Sequence, residues 1–435
     1  MVMSKNVRKT IADNMLADGF DKIIDLDKSH GSWFVDKRDN KEYLDFFSMF
    51  ASGSIGYNHP KLLKQKYELG RIAINKPTNS DIYSEEMAEF VDTFAKIAKP
   101  DYFKYMFFVS GGALAVENAL KTAFDWKTRK NFENGLKVTG SKIIHFKQAF
   151  HGRTGYTLSL TNTSDPRKTQ YFPLFDWPRI TNPKVTFPLN EENLDKVKKL
   201  EKKALEEIND AIKKDNNEIA GLIIEPIQGE GGDNHFRKEF MQELRKICDG
   251  NEILFIMDEV QSGAGLTGKF WAHEHYGVKP DILCFGKKTQ VCGIMSSDRV
   301  DDIKDNVFHE SSRINSTWGG NLIDMVRFSY ILKIIEEENL VENAKIQGEF
   351  LLKELQSIAN DFPKLISNPR GKGLMCAFDL PDGKTRDKVL GKLAENQLLI
   401  LGCGDNSIRF RPHLIITEKE IKHGIDIIRK VLKNI

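Results

Sequence analysis

The chain has 435 residues, enough to bury a large core and to form two or three structural units. Its 64 Lys+Arg against 62 Asp+Glu leave a formal charge of +2, with 40% apolar and 29% charged residues; this ordinary globular balance lacks the basic bias of a nucleic-acid or polybasic membrane-surface protein. No apolar run approaches the ~20 residues of a membrane span, the opening MVMSKNVRKTIADNML has no apolar signal-peptide core, and Cys248, Cys284, Cys292, Cys376 and Cys403 form no C-x-x-C pair. Secreted, membrane, disulfide-framework and zinc-finger classes are therefore set aside, and a cytoplasmic location is expected.

In chain order, Trp33–Asp36 and Glu42–Phe46 read as two short strands around the charged turn Lys37-Arg38-Asp39-Asn40. A helix is expected from about Ser84 to Ile97. From Met106 the pattern becomes strand, loop, helix, repeated. Tyr105–Val109, Lys142–Phe146, Ala220–Glu225, Ile253–Asp258 and Ile282–Phe285 are short apolar strands. Their alternation with helices predicts an α/β fold with a mostly parallel sheet covered on both faces. The Lys- and Glu-rich segment Glu191–Glu218 reads as a helix with a solvated face. After about Leu322 come two helices, strands near Gly373–Asp379 and Ser407–Phe410, and a terminal helix, a smaller α+β unit. The expected division is 1–75 (N-terminal segment, part of the small domain), 76–325 (large domain) and 326–435 (C-terminal small domain).

Ligands of such sheets collect at the carboxyl ends of the strands. Ser110-Gly111-Gly112-Ala113 precedes a helical stretch, Leu114–Thr128. Small residues before a helix N-terminus suit a phosphate, although such a turn is more often only a turn. Ala149-Phe150-His151-Gly152-Arg153 offers a stacking aromatic and a carboxylate-binding fork. Glu225–Gly232 places two carboxylates in a glycine-rich loop. Ile253–Met257 runs into Asp258-Glu259-Val260-Gln261, and a carboxylate there needs a cationic partner. Ile282–Phe285 leads to Gly286-Lys287-Lys288-Thr289-Gln290; a lysine desolvated there becomes a nucleophile toward aldehydes. Gly263–Gly268 matches G-x-G-x-x-G but lies outside the first βαβ unit, so a dinucleotide site is not expected. His273 and His275 stand two apart on an expected helix and would point to different faces, so no metal site is expected. A phosphate cup, a stacking aromatic, a buried Asp and a Lys 29 positions beyond that Asp (287 minus 258) are together what pyridoxal phosphate needs.

At this point the chain resembles the class III (ω-amino acid) pyridoxal-phosphate aminotransferases of fold type I, from Tyr43-Leu44-Asp45 to Arg409-Phe410-Arg411-Pro412. Within the class, Gly111–Asn118 with Phe124–Lys127, Tyr156–Thr163, Phe285–Gly293 and Asn315–Asn321 look most like the L-lysine 6-aminotransferase branch. The resemblance implies these roles. Lys287 would carry pyridoxal 5'-phosphate as a Schiff base and shuttle the proton, with Lys288 as the competing candidate. Asp258 would pair with the pyridine nitrogen and Gln261 with the ring hydroxyl. Gly112 and Ala113 would hold the phosphate, with Thr317 arriving from the other subunit of a homodimer with shared active sites. Phe150 would stack on the ring.

The implied reaction moves the ε-amino group of L-lysine to 2-oxoglutarate, giving 2-aminoadipate 6-semialdehyde, which cyclises, and L-glutamate. Arg153 would hold the α-carboxylate of lysine, and Arg409 that of 2-oxoglutarate. Glu230 would gate Arg409, pairing with it in one half-reaction and swinging away in the other, with ping-pong kinetics. Ornithine or 4-aminobutyrate aminotransferases are the nearest alternatives. A non-catalytic homologue and an NAD(P) oxidoreductase resting on Gly263–Gly268 are more remote.

Overall fold

A computed structural model describes residues 2–435. Its centre is a seven-stranded sheet. The strands run in the order Phe103–Val109, Cys292–Ser297, Ile282–Phe285, Leu254–Asp258, Ile219–Ile224, Lys142–Phe146 and Arg179–Ile180. Only Cys292–Ser297 is antiparallel to its neighbours, so the sheet is mostly parallel, as expected.

Both faces are apolar because strand side chains alternate. Ile143, Ile223 and Ile256 face the helix Gly112–Glu133 through Ala115, Ala119 and Ala123. Ile144, Leu222, Phe255 and Met257 face Ala204 and Ile208 of the helix Glu191–Lys214 and Phe240 and Leu244 of the helix Lys238–Gly250. The charged helix Glu191–Lys214 is thus solvated on one side only. It buries Val197, Glu201, Ala204 and Ile208, and Glu201 accepts from Arg237 Nε at 2.9 Å.

The strand Cys292–Ser297 was not expected. Gly293, Ser296 and Ser297 dilute its apolar signal, so no run announces it. It matters because it turns the chain back behind Lys287 and wedges between Phe103–Val109 and Ile282–Phe285. An aromatic cluster fixes that region. Phe90 and Phe94 come from the helix Glu85–Ile97, which Ser84 caps by accepting from the Met87 N–H at 3.1 Å. They meet Phe108 at 4.9 and 5.5 Å between ring centroids, and Phe94 meets Phe285 at 5.1 Å. Such pairs contribute about 0.5–1.5 kcal/mol each beyond their burial, and Phe285 stands two residues before Lys287.

A second sheet, wholly antiparallel, has the order Ser367–Lys372, Met375–Asp379, Ser407–Phe410, Leu401–Cys403. Helices Leu340–Asp361, Gly383–Glu395 and Glu418–Leu432 pack with it. A third sheet joins the two ends of the chain: Trp33–Val35 pairs with Glu42–Asp45, which pairs in parallel with Leu398–Leu399. Trp33 Nε1 donates to Glu420 at 3.1 Å. Among the described residues no helix is long and apolar enough to cross a membrane.

Candidate active site

Loops at the carboxyl edge of the central sheet close a cavity of about 680 Å³, lined among others by Gly111, Gly112, Ala113, Phe150, His151, Arg153, Glu225, Glu230, Asp258, Gln261 and Lys287. The first loop is a cradle. Gly111 has φ +115°, a conformation that glycine adopts without strain, and it caps a 22-residue helix that starts at Gly112. A Cβ on Gly112 would lie 2.8 Å from Val260 Cγ1, so only glycine fits. The free N–H groups at this helix start and its positive dipole end suit a phosphate.

The second and third loops are tied together by a buried carboxylate. Glu225 accepts from the Phe150 N–H and the Gly229 N–H, each at 3.0 Å. Burial pushes its pKa up to about 7, with His151 opposing and Asp258 adding. Asp258, at the end of its strand, is 5% exposed. It accepts from the Val260 N–H at 3.0 Å, and His151 Nδ1 lies 2.8 Å from its Oδ2. Asp258 therefore has a hydrogen-bond partner in His151, a residue that adjacency to Phe150 and Arg153 flagged without a role. Gln261 accepts from Arg411 Nε and Nη2 at 3.0 and 2.9 Å. Arg411 is itself held in a buried bidentate pair with Asp233.

The fourth loop separates the two lysines. Lys287 lines the cavity and has φ +53°, a left-handed conformation that costs an L-residue about 1–2 kcal/mol. Burial pulls its pKa down from the usual range, Asp258 opposes this, and Arg409 adds to it. Lys288 turns the other way. Its ammonium donates to the Ala51 and Gly53 carbonyls at 3.0 and 2.8 Å, and burial pulls its pKa down to about 7. Ala51 ends a feature no motif announced: Ser48, Met49, Phe50 and Ala51 all have positive φ, from 43° to 67°. Asp45 accepts from the Ser48 N–H at 2.8 Å, the Ser48 hydroxyl donates to the Arg411 carbonyl at 2.5 Å, and Gln290 donates to the Ser52 carbonyl at 3.0 Å. These bonds hold the strained turn against the lysine loop, and Ser52 reaches the cavity.

The remaining predicted residues lie at the rim or behind it. Arg153 is exposed, with its guanidinium 5.8 Å from the Phe150 ring centroid. Arg409 is buried, its Nε and Nη1 have no hydrogen-bond partner, and burial lowers its pKa. Glu230 forms no ion pair with Arg409 among the described residues; its Oε1 pairs with Lys168, which the sequence reading did not single out. Thr317 is exposed and does not line this cavity; its carbonyl accepts from Ser80 Oγ at 3.2 Å.

Two motifs find other uses. The Gly263–Gly268 turn packs against the helix Leu340–Asp361: a Cβ on Gly268 would meet Lys345 at 2.8 Å. His273 and His275 sit on a short 3-10 helix, Ala272–Tyr276, rather than the expected α-helix. His273 Nδ1 lies 2.7 Å from Glu259, and His275 Nε2 lies 3.0 Å from the Thr267 carbonyl.

The residues present fit pyridoxal 5'-phosphate: an N–H cradle shaped for glycine, an aromatic at the cavity wall, a buried carboxylate and a desolvated lysine share one space. Comparison with known proteins agrees. The family model for class III aminotransferases matches residues 16–432. The chain is 48% identical over 430 residues to the L-lysine-epsilon aminotransferase of Mycobacterium tuberculosis, covering 98% of this chain and 95% of that protein. It is 45% identical over 427 residues to the enzyme of the same name from Amycolatopsis lactamdurans, covering 97% and 94%. The solved lysine aminotransferase of M. tuberculosis in the internal aldimine form superposes with a TM-score of 0.97 at 47% identity, over 100% of both chains. The chain belongs to the class III aminotransferases, enzymes that work with pyridoxal 5'-phosphate.

Proposed function

We propose that the protein transfers the ε-amino group of L-lysine to 2-oxoglutarate, giving L-glutamate and a semialdehyde that cyclises, in two separate half-reactions. The observation that carries this reading is the convergence of the Gly111–Ala113 cradle, Phe150, Asp258 and Lys287 on one cavity, in a chain so similar to lysine aminotransferases. When bound, the cofactor supplies an aldehyde for the amino group and a cationic ring that withdraws electrons from the carbon that loses its proton.

The chain's own residues do the rest. The N–H groups of Gly112 and Ala113 bind the phosphate, and Phe150 covers the ring. Asp258, oriented by His151 and the Val260 N–H, keeps the proton on the ring nitrogen. Gln261 bonds the ring hydroxyl. Lys287 moves the proton between substrate carbon and cofactor, and desolvation eases its deprotonation. Arg153 takes the far carboxylate of lysine by a bidentate fork. Arg409 takes the α-carboxylate of 2-oxoglutarate, a role supported by its buried, unpartnered guanidinium nitrogens. Glu230 gates Arg409.

The reading includes a homodimer in which Thr317 completes the phosphate site of the partner subunit. Tyr67, Ile74, Ile82, Tyr83 and Trp318 are exposed apolar side chains, and the 79–80 backbone and hydroxyl reach the carbonyls of Trp318 and Thr317; such a surface supports burial against a second copy. The division into 1–75, 76–325 and 326–435 is proposed with it, supported by the pairing of Glu42–Asp45 with Leu398–Leu399. A cytoplasmic location is supported by five free, buried cysteines.

The visible spectrum of the holoenzyme tests the reading. The cofactor band should be lost on adding L-lysine without an oxo-acid and should return with 2-oxoglutarate. A band indifferent to lysine would overturn the substrate and leave ornithine or 4-aminobutyrate next.

A further inference from the structure

Glu230 stands between two cations, and the structure catches it on the one the gating scheme does not include. Its Oε1 is paired with the Lys168 ammonium, while its Oε2 is buried without a partner. Among the described residues Glu230 and Arg409 form no ion pair, and the buried Arg409 Nε and Nη1 are unpartnered. We propose that Lys168 is the resting partner of the Glu230 gate: it holds the carboxylate off Arg409 and so keeps Arg409 open to the 2-oxoglutarate α-carboxylate. This rests on the lysine aminotransferase reading and adds to it a positioning residue.

The local construction supports a two-position side chain on a fixed backbone. The Glu230 carbonyl accepts from the Gly404 N–H at 2.8 Å, so a swing involves only the side chain. Lys168 ends a 3-10 turn, Pro166–Lys168, that Asp165 caps by accepting from the Arg167 N–H. When Glu230 leaves, Lys168 keeps Thr163 Oγ1 at 3.3 Å and the Phe150 ring face at 5.9 Å. Its side chain retains 16% exposure, so a second cavity of about 470 Å³ between Arg167, Arg386 and Gly404 can solvate it. Lys168 left alone there loses little, so its pair with Glu230 gives way readily when the ammonium of the amino donor comes against Arg409. The two cations are therefore unequal. Lys168 sets the resting state, and arrival of the amino donor moves Glu230 to Arg409.

Single-turnover kinetics of the two half-reactions test this in the holoenzyme. Lys168→Met should let Glu230 settle on Arg409 and compete with the oxo-acid. The apparent Kd for 2-oxoglutarate should rise about tenfold, with the lysine half-reaction changed less than twofold. Lys168→Arg should restore the affinity. In a Glu230→Ala background Lys168→Met should add nothing. Equal losses in both half-reactions, an unchanged Kd, or the same loss in the Glu230→Ala background would overturn the proposal. Because 2-oxoglutarate affinity can also be read with the cofactor aminated by L-glutamate, an enzyme indifferent to L-lysine would overturn the substrate reading while the Lys168 comparison still decides the latch.

Discussion

The doubled lysine shows how two identical side chains acquire opposite tasks from one backbone turn. Lys287 is turned into the cavity by its left-handed φ, and Lys288 is spent on the Ala51 and Gly53 carbonyls, at and just beyond the end of the 48–51 turn. Lys287→Ala should therefore abolish turnover, by at least about a thousandfold, and leave any bound cofactor without a covalent link. Lys288→Ala should retain measurable turnover and lower stability by about 1–3 kcal/mol, the cost of two buried acceptors losing their donor. Absorbance of the cofactor after borohydride reduction and denaturing gel filtration, with a melting curve, separates the two; the reverse pattern would exchange their roles. On the proposed role of Asp258 at the ring nitrogen, Asp258→Ala should lower the transamination rate by about a hundredfold or more, and steady-state rates check it. Glu225 links the site to pH. Its pKa rises from an unfolded value near 4.5 to about 7 in the fold. Between these pH values the unfolded chain has shed a proton that the folded protein keeps, so stability falls as pH rises through that window and is level above it. The fall is about 3 kcal/mol at most. Melting of the cofactor-free protein from pH 4.5 to 8 should show the slope, and Glu225→Gln should flatten it.

At the scale of elements, the strands that deliver the site were readable because each is an apolar run ending in a chemically loaded residue. Lys142–Phe146 and Ile282–Phe285 have the expected bounds, and Leu254–Asp258 starts one residue later than expected. What escaped has a physical reason. Cys292–Ser297 is antiparallel and rich in small residues, and Arg179–Ile180 is two residues long. The helix Gly383–Glu395 buries only Val389 and Leu393, too few to make a periodic stripe. The left-handed turn at Ser48–Ala51 contains no glycine, and contacts with Asp45, Lys288, Gln290 and Arg411 help to hold it, three of them more than 230 residues away. Lys168 was passed over for the same reason: nothing beside it in sequence predicts Glu230. The helix Glu191–Lys214 was readable as charged but not as half-buried. Glu201→Ala should cost about 1–3 kcal/mol by leaving the largely buried Arg237 only its longer pair with Glu239 at 3.5 Å, whereas Lys202→Ala, in an exposed pair, should stay within about 0.5 kcal/mol. Denaturant melts of both variants check this.

At the scale of the whole molecule, the apolar surface around Ile82, Tyr83 and Trp318 sets a further expectation. Ile82→Asp should shift sedimentation from dimer toward monomer and lower activity at least about tenfold, with far-UV circular dichroism unchanged. A monomeric but fully active variant would remove Thr317 from the site. The general α/β plan was legible from element order, since alternating strands and helices admit few topologies. Which residues meet across that plan was not, because sequence distance carries no information about it. The small sheet that joins the ends has a consequence during synthesis. Phe46 takes its backbone partner from Leu399, 353 residues later (399 minus 46), and Trp33 waits for Glu420. At a ribosome speed of roughly 5–20 residues per second, Phe46 waits roughly 20–70 s for that partner. The local hairpin that pairs Phe34 with Tyr43 closes early, but its outer edge stays open until translation is almost over.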